Sequence, residues 1–378
     1  MIPPGKTIGM LGGGQLGRMF AFDAKRMGYR VITLDKTPHS PMGQVCDEQI
    51  TGDLDDQDAL LELGEKSDVI TYEFEHIDVS CVETLEEKGK IVRPSGNVLK
   101  ITQHRLFEKE FIVHAGIHVA PYEKVETITE FDAAIAKIGF PAIIKTVHGG
   151  YDGKGQSVVK DRAQALKVFN SMKGRILVWE KKVPFLKELS VMCVRDLDGN
   201  VASYPVSENI HVDNILDTTI VPARISKKCE KEAKKIAETI AIHLDIVGVF
   251  CVEMFLLDKD VILVNEIAPR PHNSGHYTMD ACAISQFEQQ LRAICGLPIG
   301  STQLFSPVVM VNLLGNGKGN RLAGIDKILA DPRIHFHLYG KTEAAAKRKM
   351  GHITAVAKTV DEALDAAVAA RKKLKWIE

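Results

Sequence analysis

Two glutamates, Glu253 and Glu266, sit in apolar, β-branched runs, Val249–Leu257 and Val261–Ile267, separated by Asp258-Lys259-Asp260. The pattern reads as a β-hairpin. With Lys259-Asp260 as a two-residue loop, Asp258 opposes Val261, and counting outward sets Glu253 directly opposite Glu266. Facing carboxylates repel across a ladder. A divalent cation between them removes the repulsion, and Mg²⁺ characteristically takes one or two carboxylates plus substrate phosphates. The alternative is a bulge or longer loop that turns one glutamate to solvent. Asn265 precedes Glu266, and Arg270, His272, Asn273, Ser274 and His276 follow closely. Pro269 and Pro271 hold that segment extended. A loop so rich in hydrogen-bonding side chains suits an active-site wall; the alternative is a polar surface loop.

Two glycine-rich stretches suggest phosphate. In the run Gly149-Gly150-Tyr151-Asp152-Gly153-Lys154-Gly155-Gln156, four glycines fall within seven residues. It joins a strand carrying Lys145 (Ala142–Thr146) to the strand Ser157–Lys160, as a hairpin tip able to fold over polyphosphate with its amides and Lys154. No GK[ST] opens a helix here, so it is not a Walker A loop. The alternative is a mobile surface turn. Gly12-Gly13-Gly14-Gln15-Leu16-Gly17 follows a strand and opens a helix, with Asp35 about 20 residues on, which matches the dinucleotide fingerprint of a dehydrogenase. Yet free amides at a helix N-terminus bind phosphate of any origin. The turn therefore says phosphate or close packing. Glu180 closes the apolar strand Ile176–Glu180 and runs into Lys181-Lys182-Val183-Pro184, a stretch that could read an adenine edge.

Alternating strands and helices must position these groups. Strands at Thr7–Leu11, Val31–Leu34, Val69–Tyr72 and Ile91–Arg93, with helices between, give a βαβ pattern to about residue 100. A helical stretch, Val98–Ala115, carries Arg105. Strands Leu186–Val194 and Asn200–Ser207 surround the turn Asp198-Gly199, followed by Glu208, Asn209 and His211. The amphipathic helix Ser226–Leu244 delivers the chain to the carboxylate hairpin. Composition shifts at Leu297–Gly300, and beyond it lies a basic cluster, Lys341 and Lys347-Arg348-Lys349, which could meet a phosphate monoester or form a solvated loop.

The chain has 378 residues, 45% hydrophobic and 26% charged, with a formal net charge of −1. That suits two or three globular domains and excludes a general nucleic-acid or anionic-membrane binder. Seven scattered cysteines with no CxxC pair suit reduced thiols. No secretory signature opens the sequence, and no apolar run reaches membrane-spanning length. A cytoplasmic α/β protein is expected.

In type, order and spacing, Lys145, Gly149–Gln156, Glu180, Glu188, Glu253, Asn265 and Glu266 resemble the ATP-grasp ligases. Three longer signatures, Gly12–Met19, Gly149–Gln156 and Asn265–His276, resemble one family within them, the 5-(carboxyamino)imidazole ribonucleotide synthases of bacterial and fungal purine synthesis. The resemblance runs along essentially the whole chain, including Lys341 and Arg348 to His352.

It implies an α/β ATP-grasp fold: a Rossmann-like N-terminal domain (1–100), an ATP-grasp domain (101–298) with a mobile lid at about 115–190, and a small C-terminal domain (299–378). It implies a biotin-independent ligase that uses ATP, bicarbonate and 5-aminoimidazole ribonucleotide, with Mg²⁺ or alternatively Mn²⁺, working as a homodimer. By residue, it implies metal at Glu253 and Glu266. Phosphates would meet Arg105, Lys145 and the loop Gly150, Tyr151, Asp152, Gly153, Lys154, Gly155 and Gln156. Adenine would meet Glu180, Lys181, Lys182 and Val183, the ribose Glu188, with His211 and Asn265 also on the nucleotide. Arg270, His272, Asn273 and Lys154 would serve bicarbonate and carboxyphosphate. Gly14, Gln15, Leu16, Tyr151, Asp152, Asn273, Ser274, Lys341 and Arg348 would hold the ribonucleotide. Competing readings are a formate-using transformylase of the same superfamily, a nicotinamide oxidoreductase and a non-catalytic nucleotide sensor.

Overall fold

The computed structural model describes residues 1–149, 155–317, 319 and 321–377. Three larger sheets carry most of the chain, with a two-stranded one, Arg321–Ala323 with Lys375–Ile377, beside them. Strands Thr7–Leu11, Arg30–Asp35, Glu48–Thr51 and Val69–Tyr72 form a parallel sheet in the order third, second, first, fourth. Near-continuous apolar strands suit this placement, because a parallel sheet is covered on both faces. Tyr122–Val125, Ala142–Thr146, Gln156–Val159 and Leu177–Lys181 make a small antiparallel sheet. Ala142–Thr146 and Gln156–Val159 pair as the expected glycine-tipped hairpin. The expectations for Gly150, Tyr151, Asp152, Gly153 and Lys154 fall outside the described residues.

The third sheet is the largest. Lys187–Arg195, Ser207–Val212, Ile215–Val221, Gly248–Leu256 and Ile262–Ala268 form its central part. Ile215–Val221 then pairs with Val308–Leu314, so the C-terminal strands Lys349–Val356 and Ile334–Leu338 extend the same sheet. The helix Lys227–Leu244 covers one face with Cys229, Ala233, Ile236, Ala237, Ile240, Ala241 and Leu244, an i, i+4, i+7, i+8 stripe, against Val191, Cys193, Phe250 and Val252. The helix Gln286–Cys295 lies between sheets. Phe287, Leu291 and Ile294 pack with Met19, Phe20 and Val31 of the N-terminal unit, while Ala293 faces Met192 and Cys251. Gln290 ties the two sheets together: its side-chain oxygen accepts from Val249 N–H at 2.6 Å and its amide donates to Thr71 Oγ1 at 3.0 Å.

Some local expectations change. The expected strand Ile91–Arg93 reduces to a single bridge between Ile70 and Val92, and the expected strand Asn200–Ser207 is divided between Val201–Ser203 and Ser207–Val212. The single helix over Val98–Ala115 is two helices, Gly96–Gln103 and Arg105–His114. They break at His104, extended at φ −109°, whose ring nitrogen caps the second helix by accepting from Phe107 N–H. The hairpin turn is not a two-residue loop. Asp258–Asp260 is a short 3₁₀ turn with Lys259 and Asp260 in the left-handed region at φ 57° and 59°, closed by Leu257 N–H to Val261 O at 2.8 Å.

Candidate active site

The sheets meet around an open cleft of about 830 Å³. At one end stands the carboxylate hairpin. The longer turn sets Met254 opposite Val264, a register that by itself would oppose Glu253 to Asn265. A β-bulge then shifts the ladder by one residue, and Glu253 pairs with Glu266 after all. A bulge places two residues against one and re-aims a side chain, so consecutive Asn265 and Glu266 both line the cleft. The facing carboxylates come at a cost. Burial, and then Glu266, push the Glu253 carboxyl up to about 8.

A third acid joins them. Glu108, on the helix that begins at Arg105, is buried and accepts Ile267 N–H at 2.6 Å; burial and then Glu266 push it up to about 8 as well. Arg105 Nη1 lies 3.6 Å from Glu266 Oε2. Glu253 and Glu266 face each other across the hairpin, and hard carboxylate oxygens of this kind fit Mg²⁺ or Mn²⁺.

A buried hydrogen-bond chain fixes one partner of this group. Asn209 donates to Ser190 Oγ and Ser190 to Ser274 Oγ, each at 2.9 Å, and Ser274 Oγ lies 2.9 Å from His272 Nδ1. With Nδ1 accepting, the imidazole proton sits on Nε2, 3.1 Å from Glu253 Oε1. Burial, and then Arg270, hold the His272 pKa well below the ordinary value, so the ring is neutral. Ser274 is fully buried behind His272 and does not line the cleft. The expected ribonucleotide contact there gives way to a positioning one. Asn273 does line the cleft and exchanges two hydrogen bonds with Asn312, at 2.7 and 3.1 Å.

Beside the acids lies a second ionic group. Glu180 accepts Lys145 Nζ at 2.7 Å and faces Lys109 Nζ at 2.6 Å, all three nearly fully buried. Burial works against that carboxylate, but the two lysines outweigh it and pull its pKa down to about 2. The Glu180 side chain is therefore already committed. Lys181 turns its ammonium to the carbonyls of Ile138 and Phe140 at 3.3 Å, and the amides of Lys181 and Lys182 donate to Pro121 and Pro141. Val183, Lys182, Ile143, Val158 and the stacked pair Phe185–Phe255 line this part of the cleft. Glu188 and His211 form an ion pair there; burial opposes the charged ring, but Glu188 and then Glu253 raise its pKa.

Three amides of the N-terminal glycine turn are engaged within the protein: Gly13 N–H donates to Asp35 Oδ2 at 2.8 Å, and Gly14 and Gly17 N–H donate to the buried carboxylate of Glu73. Glu73 sits against Gly14 so closely that a side chain there would collide with it. Leu16 and Gln15 still line the cleft, and Gln15 Oε1 accepts from Lys341 Nζ at 2.7 Å. Lys341, Arg348 and Lys349 give the cleft a cationic end. Arg270 reaches in from the proline-held loop with Glu75 paired to its guanidinium.

Glu73, Glu75, Glu108 and Lys109 are absent from the sequence-based assignment. A signal existed for each. Glu73 and Glu75 follow the C-terminal end of a parallel strand, where open α/β sheets place their ligands. Glu108 and Lys109 fall three and four residues after Arg105, on one helical face. Gly155 is the one described site residue of the glycine loop that lies outside the cleft lining, while Gln156 lies within it.

A second cluster, Asp280, His337 and His352, lies away from the cleft, with His337 Nε2 at 3.0 Å from Asp280. The rings of His337 and His352 stack at 4.4 Å with planes 13° apart. Ring lone pairs lie in the ring plane, so two parallel stacked imidazoles do not converge on one ion.

Comparison with known proteins places this geometry. Residues 110–287 match the ATP-grasp domain, 5–103 the ribonucleotide synthetase preATP-grasp domain, and 308–366 the phosphoribosylaminoimidazole carboxylase C-terminal domain. The N5-carboxyaminoimidazole ribonucleotide synthase of Bacillus subtilis (strain 168) is 46% identical over 367 residues, 96% of this chain and 94% of that protein. A crystal structure of an N5-carboxyaminoimidazole ribonucleotide synthetase with ADP superposes with a TM-score of 0.91 at 46% identity, covering 98% of this chain and 97% of the other. The Aspergillus clavatus N5-carboxyaminoimidazole synthase in complex with ADP and 5-aminoimidazole ribonucleotide superposes at 0.89 with 34% identity, covering 97% and 98%.

Proposed function

The chain belongs to the N5-carboxyaminoimidazole ribonucleotide synthases, ATP-grasp ligases of purine biosynthesis, and from that premise we propose how its cleft divides the work. The reaction is the ATP-dependent carboxylation of 5-aminoimidazole ribonucleotide to its N5-carboxy product. One observation carries the assignment of roles. One cleft is lined by the facing carboxylates Glu253 and Glu266 and also by the cations Lys341, Arg348 and Lys349, a lining that suits a metal-bound triphosphate beside a phosphate monoester.

Glu253 and Glu266 are the residues that would hold Mg²⁺, with Mn²⁺ as an alternative; bound there, the ion neutralises charge on the transferring phosphates. Arg105, Lys145, Gln156 and the glycine loop meet phosphate oxygens. Val183 with Lys182 and the apolar wall receives adenine, and Glu188 with His211 the ribose. Lys341 and Arg348 meet the 5′-phosphate of the aminoimidazole ribonucleotide, beside Gln15 and Leu16.

Bicarbonate is too weak an electrophile for an aromatic amine. We assign its activation to transfer of the γ-phosphoryl group, giving carboxyphosphate and ADP without biotin. The amine nitrogen then bonds to the carboxyl carbon as the bond to phosphate breaks, and inorganic phosphate leaves with the amine proton. Arg270, neutral His272 and Asn273 supply one cation and fixed donors for these oxyanions. We assign Lys154 to the same group; exclusion of water there protects a hydrolysable intermediate. The units 1–100, 101–298 and 299–378, the lid at about 115–190, a homodimeric state and a cytoplasmic location complete this reading. Among the described residues, no helix is long and apolar enough to cross a membrane.

The test is ADP release with Mg²⁺-ATP and aminoimidazole ribonucleotide, with and without bicarbonate in degassed buffer. Release that requires bicarbonate and disappears in Glu266→Gln supports the assignment; release without bicarbonate points to another acid substrate.

A further inference from the structure

We propose that Glu75 is a positioning residue for bicarbonate activation, acting through Arg270. The two side chains come from different units of the chain. Glu75 follows the last strand of the N-terminal parallel sheet, whereas Arg270 leaves the end of the metal-bearing hairpin. Both side chains are largely buried, at 18% and 15% exposure, and both line the cleft.

Their geometry is specific. Arg270 Nη2 donates to Glu75 Oε1 at 2.8 Å and Nε donates to Oε2, a two-pronged pair on the Nε–Nη2 edge of the guanidinium. Nη1 donates to Pro271 O at 3.2 Å. Among the described residues no carboxylate takes the opposite edge, between Nη1 and Nη2. That edge presents N–H groups in one plane, which matches the oxygens of a planar bicarbonate. Glu75 therefore fixes which edge faces the cleft. Pro269 and Pro271 fix the backbone from which the side chain reaches.

The balance of charge supports this division. The Glu75 carboxylate is buried, yet Arg270 outweighs the burial and holds its pKa down to about 2. Glu75 stays ionised at any working pH and serves as a constant anchor. Arg270 could have been held by Glu266, on its own hairpin, but Glu266 is left to the metal site. An acid from a different unit does the holding.

The inference rests on the reading that Arg270 meets bicarbonate, and the experiment separates the two. Steady-state carboxylation and ADP release are measured with bicarbonate, ATP and aminoimidazole ribonucleotide varied in turn, for wild type, Glu75→Gln, Arg270→Lys and the double variant. We expect Glu75→Gln to raise the KM for bicarbonate roughly tenfold and to raise ADP released per carboxylation. The KM for ATP should move less than about twofold. Arg270→Lys keeps the charge but loses the fork, so it should show the same signature, and the double variant should be no worse than Arg270→Lys. Equal changes in all three KM values, a fall in kcat alone, or additive losses in the double variant would overturn the proposal by making Glu75 a domain clamp. Wild-type ADP release that ignores bicarbonate would instead overturn the underlying reading of Arg270.

Discussion

Two carboxylates that line this cleft have opposite characters. Glu180 sits between Lys109 and Lys145 and is held at about 2; Glu253 faces Glu266 and is pushed up to about 8. Both are desolvated, so burial is not the difference. Glu180 has its cations built in, and its charge is settled when the chain folds. Glu253 has a neighbour of its own sign, so its charge is settled only when something positive arrives. Structural carboxylates bring their partners; binding carboxylates wait for them.

The sharpest way to break this contrast is to make the same substitution at both places. Glu180→Gln leaves two buried ammonium groups without a counter-charge, which should cost about 3–5 kcal/mol of stability, read from chemical denaturation. Glu253→Gln copies the protonated acid that the ligand-free site already favours, so its denaturation midpoint should hold or rise. Its activity should not: removal of a charge that acts at the phosphates should lower kcat by about 10²–10³-fold, measured as ADP release. If the two variants lost stability equally, the contrast would fail.

A gentler probe is pH. Glu253 and Glu108 stand near 8 in the folded protein, above the ordinary carboxylate value. Between that ordinary value and 8 the unfolded chain binds fewer protons than the folded one, so these groups make the ligand-free protein less stable as pH rises. Cation binding needs the ionised form. Mg²⁺-ADP should therefore bind more weakly as pH falls, seen as a smaller thermal shift at pH 6.5 than at pH 8.5.

How much of this was legible follows from what each device depends on. Apolar periodicity marked the helix Lys227–Leu244 and the more apolar strands, because burial selects residue types directly; Glu48–Thr51, Tyr122–Val125, Ser207–Val212, Ile215–Val221 and Lys349–Val356, with polar residues among their apolar ones, went unmarked. The facing of Glu253 and Glu266 was also anticipated, but through two departures that offset each other: a longer turn at Lys259-Asp260 and a bulge at Asn265. Alternation alone cannot announce a bulge. The glycine turn misled in a different way. Its pattern promises open amides, yet Glu73, remote in sequence, takes two of them, those of Gly14 and Gly17. Glu75 with Arg270 and Lys109 with Glu180 are likewise pairings across sequence. They become visible only when the sheets are assembled.

The proposed chemistry of the cleft depends most on the carboxylate pair being completed by a cation, and calorimetry can count the protons. Mg²⁺-ADP is titrated into wild type and Glu253→Gln at pH 7 in buffers of different ionisation enthalpy. An acid held near 8 is mostly protonated at that pH, so the wild type should release about one more proton per nucleotide bound than the variant. Equal proton release from the two proteins, with binding intact in both, would mean that the cation does not settle on Glu253, and the proposed metal site would be wrong.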